Sequence, residues 1–150
     1  PIFTPADQKF EIGKAVIFNE GADVSIFATG HLVWKAIEAG ELLAAKGIDA
    51  EIINIHTIKP LDVEAVLKSV RKTQCVVSAE EHQIAGGLGD AISHVLSQHH
   101  PVPQEFVGIK DSFGESGTPE QLMQKYGLEA ENIVLAVEKV MSRKSQMIHS

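Results

Sequence analysis

The pattern that most constrains this chain is a repeated alternation. Short apolar runs recur at 24–28, 50–55, 75–79 and 105–109, and each leads through a polar turn or loop into a segment with helical apolar spacing. In the first such segment Val33, Ala36, Ile37, Gly40, Leu43 and Ala44 recur at i, i+3, i+4 and i+7, one stripe of a helix over 31–46, with Gly47 placed to cap its C-terminus. A helix with a single apolar stripe needs a sheet to cover. Strands alternating with helices of this length imply right-handed crossovers between parallel strands, with helices on both faces. The run 15–18 is joined to 24–28 only by the turn 19–23, too short for a crossover, so the two read as an antiparallel hairpin. The predicted fold is therefore a three-layer α/β/α domain with a mixed, mostly parallel sheet of about five strands.

The remaining punctuation agrees with that plan. Asp62 is placed to cap a helix through Arg71, and a helix beginning near Gly86 turns Leu88, Ile92, Val95 and Leu96 inward until Pro101-Val102-Pro103 stops it. Thr118-Pro119-Glu120-Gln121 is a capping box with proline at the first helical position, opening a helix that Gly127 closes. A last helix over 130–142 carries Ile133, Ala136, Val137, Val140 and Met141 on one stripe. The expected division is an extended arm or linker over 1–12, one domain over 13–142, and a polar tail over 143–150 that frays.

Charge and cysteine usage narrow the function classes. A net charge of -7, with no lysine or arginine stripe, argues against nucleic acid as a partner. No apolar run approaches the ~20 residues needed to cross a bilayer, so the chain reads as soluble and unexported, with no membrane partner. The single cysteine, Cys75, lies within a predicted strand and reads as a buried, inert thiol.

In open α/β sheets ligands collect beyond the carboxyl ends of the strands. Four loops belong on that rim: Thr29-Gly30-His31, 56–59, Glu80-Glu81-His82 with Gly86-Gly87-Leu88-Gly89, and 110–117. The glycines could offer helix N–H groups to an anion, but they lack dinucleotide-fingerprint spacing and any P-loop Lys-Ser/Thr. Close backbone approach at a strand–helix junction or a subunit contact is the simpler reading. Of Glu80 and Glu81 only one can enter a shared site, because adjacent strand residues face opposite ways. General acid–base chemistry is open to that one, and so is the plainer role of capping loop N–H groups. His31, His56 and His82 each follow a strand and could converge, yet no zinc spacing is present. His94, His99 and His100 read as solvated residues near a helix C-terminus. Ser116 lacks a nucleophile-elbow setting and reads as part of a turn. Gly30 and His31 remain a candidate anion or nucleotide site.

Four ordered stretches then carry a resemblance: 10-FEIGKAVIFNEGADVSIFATG-30, 53-INIHTIKPLD-62, 79-AEEHQIAGGLGDAI-92 and 108-GIKDSFGESGTPEQLMQKYGL-128. Together they closely resemble the C-terminal domain of transketolases, especially the bacterial and archaeal kind divided between two polypeptides. Related domains end deoxyxylulose-phosphate synthase and the beta subunits of 2-oxoacid dehydrogenases. The resemblance implies a cytoplasmic, homodimeric enzyme of the pentose phosphate pathway that uses thiamine diphosphate and magnesium to move a two-carbon ketol unit between sugar phosphates. In that family the cofactor and the activating glutamate are held by other domains through a Gly-Asp-Gly motif and a partner subunit. Here Gly89-Asp90 is followed by Ala91, so no catalytic, cofactor-binding or metal-binding residue carries over to this chain. What carries over is Glu80, Glu81, His82, Gly86, Gly87 and Gly89 as residues facing neighbouring domains or the dimer partner. The expected function is domain packing and assembly, with the isolated fragment inactive. A free-standing anion- or nucleotide-binding module, or a regulatory docking module, is the alternative.

Overall fold

The structure, a computed structural model, describes residues 14–30, 32–82, 86–109, 118, 121 and 130–149. Its elements run β1 (Val16–Asn19), β2 (Val24–Ala28), α1 (Leu32–Ala45), β3 (Ala50–Asn54), α2 (Val63–Thr73), β4 (Val76–His82), α3 (Leu88–His99), β5 (Gln104–Ile109) and α4 (Ala130–His149). The five strands form one sheet in the order β1-β3-β2-β4-β5. Only β1 is antiparallel to its neighbour; the β2–β3, β2–β4 and β4–β5 pairs are parallel.

Both faces of the sheet are buried, as crossovers on both sides require. Val24, Ile26 and Ala28 of β2 pack with Ile52, Val77, the stripe of α1 and Ile133, Val137 and Val140 of α4. Phe27, between them in sequence, faces the other way with Ile53 and Val76, toward Val66 and Val70 of α2 and Ile92 and Leu96 of α3. That parity is the period-2 alternation of a strand covered on both sides. It places α1 and α4 on one face and α2 and α3 on the other. A buried hydroxyl trio fixes α2 to β2, with Ser25 Oγ 2.6 Å from both Ser69 Oγ and Thr73 Oγ1.

The local stop signals work as their chemistry dictates. Ile48 N donates to Leu43 O and Gly47 N to Ala44 O, with Gly47 at φ +79°, the paired bonds of a left-handed helix terminus. Asp62 Oδ1 accepts from Ala65 N at 3.2 Å and caps α2. Thr118 Oγ1 accepts from Gln121 N while Gln121 Oε1 accepts from Thr118 N, the two halves of a capping box. The helix expected beyond Gln121, its Gly127 cap, the arm at 1–12, His31 and the loop 110–117 with Ser116 lie outside the described residues.

Two expectations need correction. First, β1 and β2 do run in opposite directions but do not pair, because β3 lies between them. The turn is drawn to the start of β3 instead: Asn19 Nδ2 donates to Ala50 O, Gly21 N to Glu51 Oε1, and Asp23 N to Asp49 O. A fully buried β2 gains two parallel neighbours this way, and the short antiparallel β1 is left at the edge. Second, the last helix does not end near residue 142; α4 continues through the polar run to His149. Arg143 donates to Gln104 O (2.8 Å) and pairs with Glu105, and Lys144 Nζ donates to Asp23 O and Thr73 O at 3.0 Å each. Polar side chains thus dock this turn by charge where apolar periodicity is weak.

Candidate functional site

The carboxyl ends of β2, β3 and β4 form one rim, and the chain leaves them in diverging directions. From β2 it passes to α1 on one face, whereas from β3 and β4 it passes to α2 and α3 on the other. Such a divergence opens a crevice between neighbouring strands.

At the end of β4 the two glutamates separate. Pairing with β5 loses its register between Glu80 and His82, so Glu81 sits at a bulge. Glu80, only 7 % exposed, turns under α3, where its Oε1 accepts from Leu88 N at 3.0 Å and its Oε2 from Gly89 N at 2.7 Å. A buried carboxylate therefore satisfies two of the N–H groups that the first turn of α3 leaves without a helical partner, at the positive end of the helix. Gly87, the N-cap residue, has no side chain for the task. Glu81 goes to the β2 side of the rim: a Cβ at Gly30, whose φ is +59°, would stand 2.5 Å from Glu81 Oε1. Gly30 thus serves both a left-handed turn and the close approach of a carboxylate.

The glycine turn has similarly specific geometry. Gly86, at φ +80°, donates its N–H to Asp90 Oδ2 at 2.9 Å. Gly89 leaves no room for a side chain, because a Cβ would lie 2.5 Å from Phe106 Cδ2 and 3.2 Å from Glu80 Oε2. Gln104 Nε2 ties the same junction to Gly89 O and Ser78 Oγ at 3.1 Å each. The turn therefore packs strand end against helix start. Its N–H groups at 86, 88 and 89 are engaged by Asp90 and Glu80, and two carboxylates stand where a phosphate would have to sit.

His56 is exposed, with its Nδ1 at a long 3.5 Å from Asn54 Nδ2; His31 and the side chain of His82, with which it could converge, lie outside the described residues. His100 is held away from the rim by Gln74, with Nε2 and Oε1 3.1 Å apart. Among the described residues no group of three His, Cys, Asp or Glu could hold a metal ion. Cys75 is buried, its thiol pushed up to about 11 from an ordinary 9.0 by burial, with Lys144 opposing and Asp23 reinforcing the shift. A thiol so protonated is no nucleophile at neutral pH.

Sequence reasoning passed over one rim residue. Trp34, in the first turn of α1, lies off the apolar stripe and stands 68 % exposed beside a cleft of ≈ 550 Å³ that includes Phe18, Asn54, Ile55 and Ile58 in its walls. The available signal was a lone tryptophan on the polar side of an amphipathic helix.

Comparison with known proteins places this geometry. Residues 13–133 match the family described as Transketolase, C-terminal domain. The chain is 48% identical over 139 residues to the 6-deoxy-6-sulfo-D-fructose transketolase subunit SqwH of Clostridium sp. (strain MSTE9), covering 93% of this chain and 43% of that one. It is 41% identical over 136 residues to a putative transketolase C-terminal section of Methanocaldococcus jannaschii, covering 90% and 42%. Similarity extends to the 1-deoxy-D-xylulose-5-phosphate synthase of Pelotomaculum thermopropionicum, 40% identical over 87% of this chain and 21% of that one. A solved split gene transketolase, an inactive β4 tetramer, superposes with a TM-score of 0.88 at 45% identity over 96% of this chain and 47% of that one. The chain thus spans less than half the length of these relatives. With a matching five-stranded mixed sheet and a match over most of its length, the chain belongs to the transketolase C-terminal domain family.

Proposed function

We propose that this chain acts as the C-terminal domain of a thiamine-diphosphate-dependent transketolase, contributing to packing and assembly with other transketolase domains or subunits in a homodimeric enzyme. Ketol transfer between sugar phosphates then belongs to residues outside it. The observation that carries this reading is the Glu80 cap. The glycine turn is the described place most like a phosphate cradle, and its helix N–H groups are already bonded to a buried carboxylate. A diphosphate would have to displace that carboxylate and then face Asp90 beside Gly86. The glycine turn therefore does not fit a diphosphate with its magnesium, and no step is assigned to it. Gly30 is also a poor anion site, because the Glu81 carboxylate lies against it. Glu80, Glu81, His82, Gly86, Gly87 and Gly89 have a structural and interface role on this reading, holding the rim in shape for a neighbouring domain or the dimer partner.

The test is reconstitution. The purified 150-residue chain, given thiamine diphosphate, magnesium, a ketose phosphate donor and an aldose phosphate acceptor, is expected to show no transfer. Activity is expected when the polypeptide carrying the remaining transketolase domains is added. Thiamine-dependent turnover by the chain alone would refute the proposal, as would failure of an active remainder to bind the chain.

A further inference from the structure

The Trp34 cleft is a feature of the described rim to which neither the Glu80 cap nor the core gives a role. Trp34 is two-thirds exposed, and with Phe18, Val33, Ile55 and Ile58 it makes an apolar wall, while Thr29, Asn54 and His56 contribute polar groups. Large aromatic side chains left open beside apolar walls are the usual anchors of protein interfaces. Ala15 N donates to Asp62 Oδ2 at 2.9 Å, Val16 lies opposite Asn54, and Ala15 and Ile58 pack on the same core cluster. The described chain therefore begins, at residue 14, on this rim, beside Asn54 and Ile58 of the cleft. More than half the length of the transketolase relatives lies beyond the matched segment.

We infer that the Trp34 cleft is the docking site for the transketolase domain that precedes this one in the assembled enzyme, and that it receives an uncharged, apolar segment of that domain. The inference rests on the proposed function and adds to it the surface and the anchor. The net charge of -7 disfavours an acidic segment.

Trp34 is the chain's single tryptophan, so 5-fluorotryptophan labelling yields one fluorine resonance that reports on this cleft alone. The labelled chain is titrated with the unlabelled polypeptide carrying the preceding domain. The expected result is a shifted resonance that loses its sensitivity to exchange of H2O for D2O. Trp34→Glu is expected to weaken association by about 30-fold or more, the scale of an interface hot spot, and Trp34→Phe by far less. Because the side chain is exposed, neither variant should unfold the domain, and an unchanged melting curve verifies this. If the two polypeptides associate while the resonance stays put and Trp34→Glu binds like the parent, the cleft is not the seat, although the proposed function stands. If they do not associate, the proposed function fails and the inference with it. If the resonance loses solvent sensitivity with concentration of the chain alone, the occupant is a second copy and the inference is overturned.

Discussion

Replacing Glu80 by glutamine separates the charge of the α3 cap from its bulk. In the native structure the carboxylate accepts from Leu88 N at 3.0 Å and from Gly89 N at 2.7 Å, within a site only 7 % open to solvent. Each bond to a charged acceptor is worth ~1.5–3 kcal/mol net, and a buried donor left without a partner costs ~1–3 kcal/mol. Glutamine keeps one acceptor oxygen but turns an amide toward the other N–H, so one bond is lost and the survivor is no longer charge-assisted. The expected cost is about 2–3 kcal/mol, more than the ~1 kcal/mol of an ordinary exposed cap because little water can reach the freed donor. For a chain of this size that lowers the melting temperature by roughly 4–12 °C. Urea unfolding followed by Trp34 fluorescence gives the free energy, with exposed Glu38→Gln as a control expected within ~0.5 kcal/mol. Amide exchange should speed up at Leu88 and Gly89. A Glu80→Gln variant no less stable than the control, with those amides still protected, would refute the capping assignment.

Three further outcomes follow from other contacts. Gly89→Ala places a methyl 2.5 Å from the Phe106 ring, which is half-exposed and able to swing outward, so a cost of ~1–3 kcal/mol is expected; Phe106→Ala in the same chain should recover part of it, and no recovery would count against this packing. Lys144→Met removes the ammonium that binds Asp23 O and Thr73 O and should cost ~1–2 kcal/mol in urea unfolding; a loss below ~0.5 kcal/mol would mean that the end of α4 is not docked. For Cys75, native and unfolded chains both hold the thiol proton below pH 9, whereas between pH 9 and about 11 the unfolded chain ionises and the native one does not. Stability is therefore lost as pH rises through that window, by at most ~1.4 kcal/mol per pH unit from this group. The Cys75→Ala variant should show a shallower decline over the same pH range, and parallel curves would exclude the effect.

The resemblance to transketolase and the α/β plan were legible in the sequence because both rest on short-range order. Helical spacing from Val33 to Ala44, the Asp62 cap, the Gly47 terminus and the Thr118–Gln121 box each involve residues within a few positions of one another, so their physics is complete in a window of the chain. The burial of both sheet faces followed from the alternation of strand and helix. The rim was legible as four loops beyond strand ends, but not as a working arrangement. Glu80 and Glu81 are adjacent in sequence, yet one lies beneath α3 and the other against Gly30. A bulge in the pairing with β5 lies between their positions, and a pairing irregularity of that kind has no local sequence pattern.

The sequence by itself determined, among the described residues, where the strands lie and where the helices begin, that the sheet is mixed, and that the chain belongs with transketolase C-terminal domains. Tertiary structure alone decided that β3 separates β1 from β2, because an edge is assigned only after the crossovers have occupied their places. It also decided that Arg143 and Lys144 hold the end of α4 in place, since their partners at Gln104, Glu105, Asp23 and Thr73 are distant in the chain. It decided, finally, that the glycine turn is closed by Glu80 while Trp34 stands open. Local periodicity reports which side of an element is apolar, whereas the partner of a long polar side chain, and the water left around an aromatic one, depend on what the whole fold brings within reach.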